Sequence, residues 1–287
     1  MREGRAWDAT TVTALGDGRY TATVTEHWML LVVPQGGVLA AIAARAMEAE
    51  LGTGQELRSI HGVFASPVPE GPVEITVEVL RRGRSMSQAQ ATVRAPGAKA
   101  GFTALAAFGH VRTGFTFTEL TMPEVPLPDD CPSYRDPPPP ESGFGDGPQF
   151  PFWRDVLEGR PALGSPPWDR PAGLPAEVAT WFRFEDAPLD ESGGFDQLAL
   201  LVAADMMPSA VFERLGGFEE RMFAPSVDLT VHLETVPRGE WILNHNKAHF
   251  AADGYASAEA TLWDPVGEHG PTLLAWATQL MFFTPFD

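Results

Sequence analysis

Alternating apolar and polar positions predict strands in the first half of the chain, and a helical period predicts one helix among them. The alternation is typical of half-buried antiparallel strands and covers residues 19–25, 74–79, 86–95 and 103–112. Residues 38–51 are Ala-rich, apolar on most of the helical circumference and followed by Gly52. We therefore expect a buried helix there, packed against an antiparallel sheet.

The second half repeats this order. Residues 195–208 predict a helix, and strand patterns cover residues 179–184, 226–233, 240–250, 255–263 and 272–283. The tetrapeptide Val-Pro-Glu-Gly at residues 68–71 recurs as Val-Pro-Arg-Gly at residues 236–239. We infer an α+β fold made of two tandem copies of a helix-plus-sheet unit of about 110 residues each.

A proline-rich stretch separates the two copies. Residues 123–151 contain ten prolines, four of them consecutive at residues 137–140. Such a segment cannot continue a strand ladder or a helix, so it predicts a linker between domains. We expect an N-terminal unit at residues 1–120, a linker at 121–176 and a C-terminal unit at 177–287, with residues 152–176 irregular.

The charge and composition exclude several kinds of partner. The net charge of −18 argues against binding to nucleic acid or to an anionic membrane surface. Residues 1–120 are neutral, so the linker and the second half carry the whole excess, which solvation explains. No apolar run approaches the roughly 20 residues of a membrane helix. The first residues do not form a signal peptide, and we expect a cytoplasmic protein.

Asp205 is the polar residue that the pattern singles out. It follows seven consecutive apolar residues, in a predicted helix that Asp196 would cap and that Pro208 would stop or kink. A carboxylate in apolar surroundings needs hydrogen bonds to its ionised form, and its pKa tends to rise. The alternative is that Asp205 lies at the exposed end of the helix.

Further polar and glycine residues raise the same question. By strand parity Gln279 shares a face with Ala275, Ala277 and other apolar residues, where an amide needs a partner. Ser226 shares its face with polar residues, so a solvated position is an alternative for it. The pair Gly36 and Gly37 at a helix start either holds a negative oxygen on free N–H groups or lets the helix pack closely.

Several short motifs resemble the acyl-CoA thioesterase II family. They are Gln35-Gly36-Gly37 before the Ala-rich helix, Arg82–Ser87 opening a strand, Ala203-Ala204-Asp205, Ser226-Val227-Asp228 and Thr278-Gln279. The resemblance covers residues 20–112 and 178–283. It implies a double hotdog, in which an antiparallel sheet wraps a central helix in each half.

The resemblance also implies a set of site residues. An Asp on the second-half helix, a Ser or Thr on the next strand and a Gln on the last strand hold the attacking water, at positions Asp205, Ser226 and Gln279 here. Asp228 is the second choice for the base. The substrate-binding positions would be Gly36, Gly37 and Val38 for an oxyanion, and Arg82 and Arg84 for phosphates, although these arginines are equally typical of solvated turn charges.

The resulting hypothesis is hydrolysis of acyl-CoA to a free acid and CoA by general-base activation of water. No metal or cofactor is implied, and no Gly-x-Ser-x-Gly elbow suggests a nucleophilic serine. The single cysteine, Cys131, lies in the Pro-rich stretch, and we expect no catalytic role for it. The alternatives are a non-catalytic acyl-CoA-binding hotdog and an enoyl-thioester hydratase. By resemblance we expect a homo-oligomer, a dimer of double hotdogs.

Overall fold

The computed structural model describes residues 5–30, 32–142, 150–166, 169–216, 222–267 and 270–285. In the first half, the strands are β1 Thr13–Gly16, β2 Arg19–Val24, β3 Glu56–Phe64, β4 Gly71–Arg81, β5 Met86–Arg94 and β6 Phe102–Gly109, with helix α1 at Gly36–Leu51. In the second half, the helices are α2 Pro151–Asp155, α3 Ala199–Ala204 and α4 Pro208–Leu215. The strands there are β7 Leu157–Leu163, β8 Glu177–Phe184, β9 Met222–Phe223, β10 Asp228–Leu233, β11 Ile242–Ala252, β12 Tyr255–Asp264, β13 Thr272–Phe282 and β14 Thr284–Pro285.

Twelve of these strands form one continuous sheet whose order shows the duplication directly. The order is β1-β2-β4-β5-β6-β3-β10-β13-β12-β11-β8-β7, so each half repeats the other when the sheet is followed from its two ends. The halves meet where β3 pairs antiparallel with β10, with Ile60 opposite Val231. The α+β fold and the predicted internal repeat are therefore confirmed.

Helix α1 forms because its sequence is Ala-rich and its ends are capped. Gln35 caps the start, where its Oε1 accepts the Val38 N–H at 3.2 Å, and Gly52 ends the helix in the left-handed region at φ 56°. Eleven of its sixteen residues are buried. The predicted helix is confirmed and begins two residues earlier than expected.

The helix predicted for residues 195–208 is wrong in its extent. Only Ala199–Ala204 is α-helical, the chain breaks at Asp205, and Pro208 begins α4 instead of ending α3. A proline suits the first position of a helix because that N–H has no helical acceptor. Asp196 does cap the turn before α3, where its Oδ1 accepts the Leu198 N–H at 3.1 Å.

The linker is more ordered than expected. Strand β7 pairs with β8 at the sheet edge, and Phe152 in α2 is fully buried, so the irregular structure expected for residues 152–176 is wrong in this part. The segment at residues 122–131 lies over the outer face of the second-half sheet, where the Pro126 carbonyl accepts the Trp181 indole N–H at 2.8 Å. The boundaries at residues 120 and 176 stay a prediction.

The sequence analysis also differs from the structure in the first-half strands. The sequence analysis assigned no strand to β1 or β3, and β6 ends at Gly109, three residues before the predicted end. In the described part of the chain, no helix is long and apolar enough to cross a membrane.

The close contact between Gly37 and the backbone of α3 predicts that a larger residue at position 37 destabilises the fold. A Cβ on Gly37 would lie 2.4 Å from the Leu201 carbonyl oxygen and 2.6 Å from the Val202 Cα, both of them backbone atoms that cannot move aside. We expect Gly37→Ala to lower the free energy of unfolding by about 3 kcal/mol, the upper end for overpacking. Urea denaturation followed by circular dichroism measures this. The control is Gly114→Ala, where a Cβ meets nothing within 4 Å and the change should stay within about 0.5 kcal/mol.

Candidate active site

A backbone turn presents the Asp205 carboxylate. Asp205 follows the last residue of α3 with φ −84° and ψ 56°, and the Met206 N–H donates to the Ala204 carbonyl at 2.9 Å. These angles and this bond define an inverse γ-turn centred on Asp205. The turn ends the helix and directs the carboxylate toward the start of α1.

Both carboxylate oxygens of Asp205 accept hydrogen bonds. Oδ2 accepts the Gly37 N–H at 3.0 Å and the Gln35 Nε2 at 3.2 Å. Oδ1 accepts the Gln279 Nε2 at 2.5 Å and the Ser226 hydroxyl at 3.4 Å. Gln279 also donates to the Ser226 Oγ at 2.7 Å. The three residues predicted to hold water therefore lie together, while their catalytic roles stay a prediction.

Burial sets the acidity of this carboxylate. Asp205 is 9% exposed and Gln279 is 1% exposed. Burial raises the pKa of Asp205 from 3.8 to about 6, because the charged form loses its hydration. The donors that oppose this rise are, in falling order, the Gln279 amide, the Gly37 N–H, the Ser226 hydroxyl and the Gly36 N–H. The result is a carboxylate that is ionised at neutral pH and able to accept a proton.

The first half of the chain completes the site. A Cβ on Gly36 would lie 2.7 Å from both the Asp205 Oδ2 and the Phe64 ring, so a larger residue there would displace the carboxylate or the ring. Phe64 is half-buried, and its N–H donates to the Val227 carbonyl at 3.0 Å, next to Ser226. The carboxylate thus lies at the junction of the two halves and is held by residues of both.

Gln35 is a site residue that the sequence analysis missed. It is fully buried, and besides Asp205 Oδ2 its Nε2 donates to the carbonyls of Val202 at 3.0 Å and Asp205 at 3.2 Å. The available signal was an amide immediately before a glycine pair at the start of a buried helix. Its partners lie about 170 positions away in the chain, and no local pattern identifies contacts at such a separation.

The predicted oxyanion donors have other partners in this structure. The Gly37 N–H donates to Asp205, and the Val38 N–H donates to the Gln35 Oε1. These amides orient the carboxylate and cap α1. An oxyanion role for Gly36, Gly37 and Val38 therefore requires a rearrangement of these bonds.

The predicted phosphate contacts lie at the other end of α1. Arg82 donates to the Leu51 carbonyl at 2.6 Å and to the Glu50 carbonyl at 3.0 Å, so it caps the helix C-terminus. Arg84 is exposed in the same connection between β4 and β5. Sixteen helical residues span about 24 Å, so the structure does not bring these arginines to Asp205.

The remaining candidates have structural partners. Asp228, the second choice for the base, accepts the Leu280 N–H at 2.9 Å. The Cys131 thiol donates to the Leu127 carbonyl at 3.3 Å, in the segment over the outer sheet face. Among the residues that the structure describes, no group of three or more His, Cys, Asp or Glu side chains could hold a metal ion.

The hydrogen bonds to Asp205 predict how its acidity changes. We expect its carboxyl group to titrate near pH 6, and Gln279→Met to raise this pKa, because the strongest donor to the charged form is removed. Carbon-13 NMR of carboxyl-labelled Asp measures the titration, with the resonance assigned through Asp205→Asn. Gln55→Met is the control, since Gln55 is also buried but donates to the Gly83 carbonyl instead. An unchanged pKa in Gln279→Met would contradict the described contact.

Two family models match this chain, one in each half. The model of the acyl-CoA thioesterase N-terminal domain matches residues 24–109, and the model of the acyl-CoA thioesterase C-terminal domain matches residues 128–283. A search of curated proteins found no match.

Solved structures show the same fold over nearly the whole chain. A hot dog protein of unknown function from Alicyclobacillus acidocaldarius is 24% identical with a TM-score of 0.80, covering 99% of this chain and 100% of that chain. A protein provisionally assigned as a thioesterase II from Thermobifida fusca is 23% identical with a TM-score of 0.77, covering 99% of both chains.

A third structure, acyl-CoA thioesterase II from Mycobacterium marinum, is 18% identical with a TM-score of 0.68 and covers 98% of this chain and 99% of that chain. At these identities the likeness establishes the double hotdog fold, and the matched family models establish the family. The chain belongs to the acyl-CoA thioesterase family.

Proposed function

We propose that this protein hydrolyses acyl-CoA thioesters to free acids and CoA, with Asp205 as the general base. The observation that supports the proposal most is the buried Asp205 carboxylate, which hydrogen-bonds both Gln279 and Ser226 and has a pKa of about 6. A base with a pKa near the working pH combines a large ionised fraction with a useful affinity for a proton.

The polar groups around Asp205 suit the positioning of one water molecule. The Gln279 Oε1 is buried and has no hydrogen-bond partner among the described residues. After a local shift that exposes this oxygen, a water could donate one O–H to it and the other to the Asp205 Oδ1, which leaves a lone pair for attack. Ser226 receives the Gln279 N–H and keeps that amide in the required orientation.

The proposed reaction balances without a metal or cofactor. The water oxygen bonds to the thioester carbonyl carbon while Asp205 takes its proton, and a tetrahedral intermediate forms. Collapse of this intermediate breaks the C–S bond and releases the CoA thiolate, which takes the proton back from Asp205. The thiolate of a thiol with a pKa of about 8.5 is a good leaving group, so the second step needs no separate strong acid.

The hydratase alternative has less support from the geometry. That chemistry in hotdog folds uses an Asp and a His near a helix start, and Asp196 occupies such a place before α3. Asp196 instead accepts the Trp7 indole N–H at 3.0 Å and an N–H of Arg45. The acyl-CoA-binding alternative uses the same site as the proposed thioesterase and differs from it only in the absence of turnover. An assay of thioester hydrolysis therefore distinguishes the two.

Loss of the proposed base predicts loss of turnover. Purified protein is mixed with short, medium, long and aryl acyl-CoAs, and free thiol is followed. We expect hydrolysis of at least one class and a decrease of at least about 100-fold in Asp205→Asn, the low end for losing a general base. Asp253→Asn is the matched control, since Asp253 lies in an exposed turn at φ 54° that Asn also adopts.

Two results would count against the proposal. Silence of the wild-type protein with every thioester would favour the binding alternative, and water addition to crotonyl-CoA would favour the hydratase. Full activity of Asp205→Asn would remove Asp205 from the mechanism while leaving thioester hydrolysis intact.

The raised pKa predicts an acid limb in the pH dependence. Only the ionised carboxylate can accept a proton, so kcat/KM should fall about tenfold per pH unit below about pH 6 and level off above it. Initial rates between pH 4.5 and 8.5 test this, with circular dichroism at each pH to confirm folding. An acid limb near pH 4 would contradict a base whose pKa is raised to about 6 by burial.

A further inference from the structure

Side chains from elsewhere in the chain add hydrogen bonds to the carbonyls at the end of helix α3. The backbone supplies the Asp205 N–H to the Val202 carbonyl at 3.3 Å and the Met206 N–H to the Ala204 carbonyl at 2.9 Å. The Gln35 side chain donates to the carbonyls of Val202 and Asp205. Two strand residues, Asn244 and Asn246, hold carbonyls on either side of Asp205.

The contacts of these two asparagines are specific. The Asn244 Nδ2 donates to the Ala203 carbonyl, and the Asn246 Nδ2 donates to the Met206 carbonyl at 3.1 Å and to the Ser209 Oγ at 3.1 Å. Residues two apart on a strand share a face, so both side chains of β11 point at the same turn. They are the only asparagines in the chain.

Both asparagines are placed at a cost to folding. Asn244 is 0% exposed and Asn246 is 2% exposed, and the Oδ1 of each has no hydrogen-bond partner among the described residues. A flipped amide would set Oδ1 against a carbonyl oxygen, so the orientation is determined. A buried acceptor without a partner destabilises the folded state, and an apolar side chain on this face would not carry this cost.

We infer that Asn244 and Asn246 are positioning residues for the reaction, which hold the carbonyls beside Asp205 so that the γ-turn keeps its carboxylate on Ser226 and Gln279. This inference rests on the proposed function. The two asparagines act through Asp205 and touch no substrate. They contact the chain at the point where a helix that is apolar and Ala-rich up to residue 204 ends.

A purely structural role and a positioning role predict different kinetics. If the asparagines only stabilise the fold, Asn244→Leu and Asn246→Leu change the melting temperature and leave the kinetics of folded enzyme unchanged. If they position Asp205, each variant lowers kcat by about tenfold to 100-fold, in the range expected for a misplaced catalytic group, while KM changes less than about threefold. The acid limb of kcat/KM also moves to higher pH, because a displaced carboxylate loses the donors that oppose the rise of its pKa.

The matched control is Tyr20→Phe. Tyr20 is 6% exposed and its hydroxyl donates to Glu50 at 2.8 Å, so the substitution also deletes one partly buried hydrogen bond, on a strand of the other half. We expect it to lower stability with kcat and the acid limb unchanged. Wild-type kcat and acid limb in both leucine variants would overturn the inference.

A measurement without turnover separates this inference from the proposed function. Carbon-13 NMR titration of the Asp205 carboxyl should show a higher pKa in both leucine variants than in the wild type, whether or not any thioester is hydrolysed. If the leucine variants do not fold, Asn246→Ser provides a shorter donor and is judged by the same two readouts. An unchanged Asp205 pKa in folded variants would refute positioning even if hydrolysis is found.

Discussion

The contact between the Asp205 carboxylate and the start of helix α1 is the constraint on which the structure depends. A buried carboxylate is costly unless its charge meets hydrogen-bond donors, and the free N–H groups of a helix start supply them together with a favourable dipole. The Gly37 N–H can reach Asp205 only if α1 lies against the backbone of α3, where a Cβ does not fit. The same contact therefore fixes the packing of the two halves and the place of the ionisable group.

The two repeats differ in how their helices contact each other. This difference explains why the candidate site forms at the start of α1 and not also at the start of α3. The start of α1 meets the end of α3 at Gly37 and Asp205, whereas the start of α3 meets the interior of α1 at Asp196 and Arg45. In the first case only uncharged donors surround the carboxylate, and burial raises its pKa. In the second case a guanidinium pairs with the carboxylate, so that position is neutralised and filled by an ion pair.

Most of the long strands, and the polar residues Asp205 and Gln279, could be predicted because their signals are local, whereas Ser226 was assigned through the family resemblance. Alternation along β10 to β13 identifies the buried face, and a lone amide or carboxylate on an apolar face demands a partner. The exact residue of the break could not be predicted. Pro208 indicates a break in this turn, because it has no N–H for the Ala204 carbonyl, but it does not determine that Asp205 is the residue that turns. The turn is held by hydrogen bonds from Gln35, Asn244 and Asn246, which lie far away in the chain. Strand β7 was not predicted because Pro161 and the neighbouring prolines indicate a linker. Proline is nevertheless tolerated in an edge strand such as β7.

Buried polar groups that destabilise the folded state are also concentrated around Asp205. In the described chain, five buried side-chain atoms have neither a hydrogen-bond nor an ion-pair partner, and three of them belong to Asn244, Asn246 and Gln279, which all bind Asp205 or its turn. The raised pKa adds to this cost. The folded state favours protonated Asp205, so ionisation destabilises the fold by about 3 kcal/mol above pH 6, and this penalty is absent below about pH 4.

Selection for stability alone would replace this charge and these amides with apolar side chains. Their clustering around one carboxylate supports the proposed role of Asp205 as a base. The burial that makes Asp205 costly is also what brings its pKa close to the pH at which a base can act. Under the proposed function, stability and reactivity therefore depend on the same contacts, and these contacts join the two halves of the molecule.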